Sequence, residues 1–284
     1  MGSPQMVKAR GDGLQIQTAL WEGKGKTILC LHGLTANCRC WDHLASSLTP
    51  RHQIIAVDLR GRGLSDKPST GYALNHHVAD MVALLDDLRL ECPVVAGHSL
   101  GAFIALALAA IHPKRVERLI LLDGGGKLSE AQRAKVFNGI KPALDRLGKV
   151  FPDRESYLSS LKQIPFFQPW NPDLNTYARY EVEEVAGGIS PRIKGKHIME
   201  ELYNMRTIDP SQFYPKLSSP VLILRATQGM VTEDDLVLPD EILEPMVRTI
   251  PNVRCLDLAA TNHYSILFQP NPIRDRAILE FLES

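Results

Sequence analysis

The segment Gly97-His98-Ser99-Leu100-Gly101 sets a serine between two glycines, with the apolar run Val94-Val95-Ala96 before it and Ala102 to Leu108 after it. A strand that stops at Gly-x-Ser-x-Gly and restarts as a helix needs a very tight turn, which small residues on both sides permit. Such a turn lifts the serine hydroxyl into the open. It also leaves the amide of Leu100 at a helix N-terminus, where unpaired donors favour a developing oxyanion. Gly and Ser each make up near 7% of ordinary chains, so this pattern arises by chance in about one chain in ten of this length. Context supplies the specificity: Pro93 leads the strand, and the apolar helix runs on to His112-Pro113, where proline blocks continuation. A nucleophilic serine is expected.

A serine hydroxyl is barely nucleophilic near neutral pH; it needs a base within reach and a third group to orient that base. His263 is the best base, in the loop Ala259-Ala260-Thr261-Asn262-His263-Tyr264 after the last strand-like run. His76-His77 opens an amphipathic helix, and His43 and His52 lie in polar, surface-like sequence, so structural or solvated roles are expected of them. For the acid, Asp123 ends the strand that follows the nucleophile helix, which sets it beside the elbow at the carboxyl edge of a sheet. It could equally cap neighbouring backbone amides. Asp234 and Asp235, after the strand from Val221 to Arg225, are the other candidates.

The elements that must hold these residues read as short β-rich runs: Thr27 to Leu31, Gln53 to Asp58, Val94 to Ala96, Leu119 to Leu122, Val221 to Arg225 and Arg254 to Leu258. Helical spacing of Val78, Met81, Val82, Leu84, Leu85 and Leu88 predicts a helix over Leu74 to Leu88, and Ala102 to Ile111 predicts another. Alternation of strand and helix implies an α/β fold with a mainly parallel, doubly wound sheet. The alternation breaks after Leu122. Residues 127–214 hold 11 of the 18 aromatic residues, among them Phe137, Phe151, Phe166, Phe167, Trp170 and Tyr203. Pro142, Pro152, Pro165, Pro169, Pro172 and Pro191 limit that stretch to short helices and loops. It reads as a helical lid over an apolar cleft, between core segments 1–126 and 215–284, although single aromatics could instead form the insertion's own small core.

Lys plus Arg and Asp plus Glu are 32 each, so no global field gathers nucleic acid or an anionic membrane. Cys30, Cys38, Cys40, Cys92 and Cys255 form no regular framework, which predicts reduced thiols. Cys38-Arg39-Cys40 lacks a partner pair for a metal, and neither Gly61-Arg62-Gly63 nor Gly124-Gly125-Gly126 forms a phosphate-binding fingerprint. No metal and no cofactor are expected. The first residues lack the basic start and apolar stretch of a signal peptide, and no run reaches about 18 apolar residues, so a cytoplasmic location is expected. Oligomeric state is not readable.

Four segments together are specific: Leu29-Cys30-Leu31-His32-Gly33-Leu34, Val57-Asp58-Leu59-Arg60-Gly61-Arg62-Gly63-Leu64-Ser65-Asp66, the elbow, and Thr261-Asn262-His263. In order and spacing the chain resembles the α/β-hydrolase superfamily, over everything but the lid. That resemblance implies Ser99 as nucleophile, His263 as base, the amides of Leu34 and Leu100 as an oxyanion hole, and a structural turn at Asp58. It departs at the acid. Many members carry it nine residues after the proline that starts the seventh strand; counted from Pro220, that position is Gly229. Counting back from Pro239-Asp240-Glu241 points to Asp235, whereas branches that place the acid after the sixth strand, 24 residues beyond the nucleophile, point to Asp123. Asp123 is favoured, with Asp235 as the alternative.

The chemistry expected is hydrolysis of a small apolar carboxylic ester or lactone through a serine acyl-enzyme, with acyl-homoserine lactones as a substrate suggested by lidded relatives. A serine nucleophile counts against haloalkane dehalogenase and epoxide hydrolase chemistry, which use aspartate. Carbon-carbon bond hydrolysis and perhydrolysis use the same triad and stay open. So does a weakly catalytic ligand receptor on a hydrolase scaffold, against which an intact Ser99 and His263 argue.

Overall fold

A computed structural model describes residues 2–284. Among the described residues ten strands form in chain order: β1 (Gln5–Arg10), β2 (Gln15–Trp21), β3 (Thr27–Leu31), β4 (Gln53–Val57), β5 (Val94–His98), β6 (Leu119–Leu122), β7 (Val182–Val185), β8 (Gly188–Pro191), β9 (Val221–Ala226) and β10 (Val253–Leu258). Eight of them make one sheet in the order β1-β2-β4-β3-β5-β6-β9-β10, in which β2 runs antiparallel to both neighbours and β3 to β6, β9 and β10 are parallel. Strands β5 and β6 are buried at every residue, as a parallel sheet covered on both faces requires.

Helices α1 (Asp42–Leu48), α2 (Leu74–Asp87) and α3 (Leu100–Ile111) alternate with these strands. Helices α4 (Glu130–Leu144), α5 (Arg154–Lys162), α6 (Pro172–Glu181) and α7 (Gly195–Met205) fall between β6 and β9, and α8 (Asp240–Thr249), α9 (Ser265–Phe268) and α10 (Pro272–Glu283) complete the core. Helix α2 packs on α3, and α1 on α9 and α10. Among the described residues no helix is long and apolar enough to cross a membrane.

Strand β3 lies between β4 and β5, so the chain reverses its direction of travel through the sheet there, and a crevice opens at the carboxyl ends of β3 and β5. The Gly33–Leu34 loop and the Ser99 elbow sit at those two ends. Their close approach depends on glycine: a Cβ on Gly101 would stand 2.0 Å from the Leu31 carbonyl oxygen, and one on Gly97 would stand 2.2 Å from that of Gly101.

Three expectations need correction. The N-terminal hairpin β1-β2 was not among the expected strands, because β2 buries polar Gln17 and Thr18 and so breaks the apolar pattern. Their side chains both donate to the Val7 carbonyl, at 3.0 and 2.9 Å, which satisfies them inside the sheet. Nor do prolines restrict the insertion to short helices and loops: α4 runs for 15 residues with Pro142 inside it, and β7-β8 is a hairpin. Pro142 sits in the last turn of α4, where the helix ends two residues later and little of it is left to disrupt. Finally, His52 is buried rather than at the surface.

Candidate active site

Ser99 adopts φ 54° and ψ −118° at the junction of β5 and α3, a left-handed conformation costing on the order of 1–3 kcal/mol for a side-chain-bearing residue. The turn survives because its surroundings fix it. The Ser99 amide donates to the Leu122 carbonyl at 3.2 Å, and a Cβ on Gly124 would stand 2.7 Å from the Ser99 carbonyl oxygen.

Asp123 follows β6, also with positive φ (45°), and its carboxylate reaches across to the His263 loop. Its Oδ2 lies 2.7 Å from His263 Nδ1, and its Oδ1 accepts from the Ala226 amide at 3.1 Å. A carboxylate only accepts, so His263 carries its proton on Nδ1 and presents Nε2 as the basic nitrogen. Ser99 and His263 line the same cavity. Asp235 is placed differently: its two oxygens accept from the amides of Met230, Val231 and Thr232 at 2.5, 2.9 and 3.2 Å. It closes its own loop. A Cβ on Gly229 would stand 2.4 Å from Asp235 Oδ1 and 1.7 Å from the Thr232 carbonyl oxygen, so the glycine at the familiar acid position is what lets this loop fold. Asp234 instead pairs with Lys135 at 2.9 Å on the surface.

Neither the Leu34 nor the Leu100 amide is taken by an acceptor among the described residues. The direction of the first is set by His32. Its Nε2 accepts from the Leu59 amide at 3.1 Å, so Nδ1 carries the proton and donates to the Gly33 carbonyl at 2.7 Å. That carbonyl and the Leu34 N–H belong to one trans peptide and point opposite ways. Anchoring one aims the other.

His98, inside the elbow, packs its ring on that of His263 with centroids 4.5 Å apart and donates from Nε2 to the His263 carbonyl at 2.8 Å. Motif reading assigned it nothing; only the fold brings it to a residue 165 positions away. Burial, then the facing His263, pushes the His98 pKa well below the ordinary imidazole value, and burial above all lowers that of His32 to about 4. Both native imidazoles are therefore neutral while the unfolded chain takes up protons from about pH 6.5 downward. The unfolded state binds more protons in that window, so stability falls as pH falls, by about 1.4 kcal/mol per pH unit for each group. Between pH 7 and pH 5 we therefore expect the urea unfolding midpoint to fall at constant m; an unchanged midpoint contradicts the assignment.

The cavity over Ser99 has a volume of about 650 Å³. Leu34, Ser99, Leu100 and His263 line it together with residues of α4 and α7. Phe167 and Tyr177 line it, while Phe166 stacks on Tyr264 at 3.9 Å just behind the wall. Phe137 and Tyr203 stand exposed at the mouth. Arg133 and Arg206 also line it, and neither has an acidic partner among the described residues. The five cysteines are free, and no group of three His, Cys, Asp or Glu able to hold a metal occurs among the described residues.

A family model for the alpha/beta hydrolase fold matches residues 26–270. The chain belongs to that family. It is similar to 2-(acetamidomethylene)succinate hydrolase of Mesorhizobium japonicum, at 27% identity over 267 residues, covering 93% of this chain and 90% of the relative. The crystal structure of E-2-(acetamidomethylene)succinate hydrolase superposes with a TM-score of 0.84 at 25% identity, over 99% of this chain and 100% of that one. The enol-lactonase of Burkholderia xenovorans shares the fold at 17% identity and a TM-score of 0.74, over 98% of this chain and all of that one. The expected hydrolase fold, with its mainly parallel sheet and flanking helices, is thus the observed one.

Proposed function

We propose that this hydrolase cleaves small carboxylic esters or lactones through a Ser99 acyl-enzyme, with His263 as general base and Asp123 as the acid. One observation carries the reading: the 2.7 Å contact of Asp123 Oδ2 with His263 Nδ1, in a loop whose histidine shares a cavity with Ser99. Ser99 Oγ attacks the carbonyl carbon while His263 Nε2 takes its proton. Negative charge gathers on the carbonyl oxygen, where the amides of Leu34 and Leu100 receive it. The imidazolium then gives its proton to the leaving oxygen, and water, deprotonated by the same nitrogen, releases the acid. In this reading residues 127–214 are the lid, and Asp235 is a loop-forming carboxylate.

Arg133 and Arg206 favour a second reading of the substrate: one that bears a carboxylate, as the succinate in the relative's name does, rather than a purely apolar one. The same site would then cleave an ester or amide that carries such a carboxylate.

Labelling decides the first point and a substrate panel the second. A serine-directed fluorophosphonate is expected to modify the native chain at Ser99 and not Ser99→Ala, and activated short-chain esters are expected to give a burst of chromophore. No labelling and no burst reject the serine mechanism in favour of a ligand receptor. Higher kcat/KM for hemisuccinate than for butyrate esters selects the carboxylate reading, and the reverse selects the apolar one.

A further inference from the structure

The insertion is tied to the loop that carries the Leu34 amide at two successive carbonyls. Arg62 Nε donates to the Leu34 carbonyl at 3.1 Å and its Nη1 to that of Arg60 at 2.9 Å, while its Nη2 pairs with Glu201 of α7. Next along the loop, the Thr35 carbonyl accepts from Arg146 Nη2 at 3.1 Å and from the Tyr177 hydroxyl at 3.4 Å. Arg146 pairs in turn with Glu181, whose other oxygen accepts from the Tyr157 hydroxyl at 2.6 Å. Arg62, Glu201, Arg146 and Glu181 are all buried. Burial alone would raise the Glu201 pKa, but the charge of Arg62, with His77 behind it, holds it near 2. His77 Nε2 stands 2.6 Å from Glu201 Oε1.

Buried ion pairs stabilise folds poorly compared with apolar packing, so their placement calls for another reason. Together with the His32 bond to the Gly33 carbonyl, these pairs fix three consecutive carbonyls and leave the Leu34 backbone no freedom to turn its amide away. Helix α7 is also held to the core by Glu200, which accepts from the amides of Gly71 and Tyr72 at 2.9 and 3.1 Å, and by His197, whose Nδ1 meets the Tyr72 hydroxyl at 3.0 Å.

We propose that the insertion is part of the catalytic frame: Glu201, acting through Arg62, and Tyr177, with Arg146 and Glu181, are positioning residues that aim the Leu34 amide at the developing oxyanion. This rests on the serine hydrolase reading, and neither residue touches the reacting atoms. Glu201→Gln keeps the shape but drops the charge that locks Arg62. We expect kcat to fall 10- to 100-fold with KM within threefold of native, and the Ki of a trifluoromethyl ketone, whose hemiketal with Ser99 Oγ places an oxyanion in that position, to rise in proportion to the loss in kcat/KM. Inhibition by the alcohol product, which carries no oxyanion, should be unchanged. Tyr177→Phe deletes one bond to Thr35 and should lose kcat about threefold by the same signature, which keeps the proposal testable if Glu201→Gln does not fold. A folded Glu201→Gln or Tyr177→Phe with native kcat and ketone affinity but a lowered Tm overturns it. A native chain that neither turns over esters nor takes the fluorophosphonate overturns the hydrolase reading, and this proposal with it.

Discussion

Ser99→Ala and His263→Ala are each expected to lower kcat for an activated ester by about 10⁶, and the double variant to lose no more than either alone. The reason is shared work. The serine is a nucleophile only while the imidazole withdraws its proton, so removing either partner removes the whole step. Donors that act separately would multiply their losses. What survives should be a residual acceleration of about 10³ to 10⁴ over water, supplied by binding and by the amides of Leu34 and Leu100, which these substitutions leave intact. Steady-state rates of the two single variants and the double, at saturating ester, make the comparison. Losses that multiply, or a His263→Ala variant within tenfold of native, would remove His263 from the role of base.

The parts of this site that were legible in the sequence are the local ones. Gly97, Ser99 and Gly101 read as an elbow because strand, turn and helix lie within a few residues, and a Cβ at either glycine would collide with backbone. Strands β3 and β6 matched their expected bounds residue for residue, since a continuous apolar run is how a strand buried on both faces must look. What stayed open depended on long-range contact. Asp123 and Asp235 both follow strands and both are buried; only the fold gives one of them the imidazole and the other three amides of its own loop. Arg62 and Glu201 are 139 residues apart, and nothing in the Gly-Arg-Gly segment marks its arginine as buried until its partner arrives from residues 127–214. His32 and His98 are similar cases. Their positions in the motifs were plain, but their tautomers, and hence what they hold in place, follow from carbonyls and amides that folding brings to them.

Asp123→Asn and Asp235→Asn separate the two candidate acids, and they are expected to fail in different ways. An asparagine at 123 cannot accept the Nδ1 proton with full charge, and its amide group can turn an N–H toward the ring, which drives His263 to the tautomer protonated on Nε2. That nitrogen can then no longer accept from Ser99. A loss of about 10⁴ in kcat with KM little changed is expected, since substrate binding does not use the carboxylate. Asp235→Asn acts on the loop from Met230 to Thr232 instead. Its carboxylate receives three amides, each a charge-assisted bond worth about 1.5–3 kcal/mol when the acceptor is ionised, and an amide oxygen can keep only part of that. The expected outcome is a destabilised chain, by about 2–4 kcal/mol, with kcat within tenfold of native at a temperature where it remains folded. The loop also lies against α4, which lines the cavity, because a Cβ on Gly139 would stand 2.9 Å from Asp235 Oδ2, so a modest change in KM is consistent with the same assignment. Near-equal modest losses in both variants, or the larger kinetic loss at position 235, would transfer the role of acid away from Asp123.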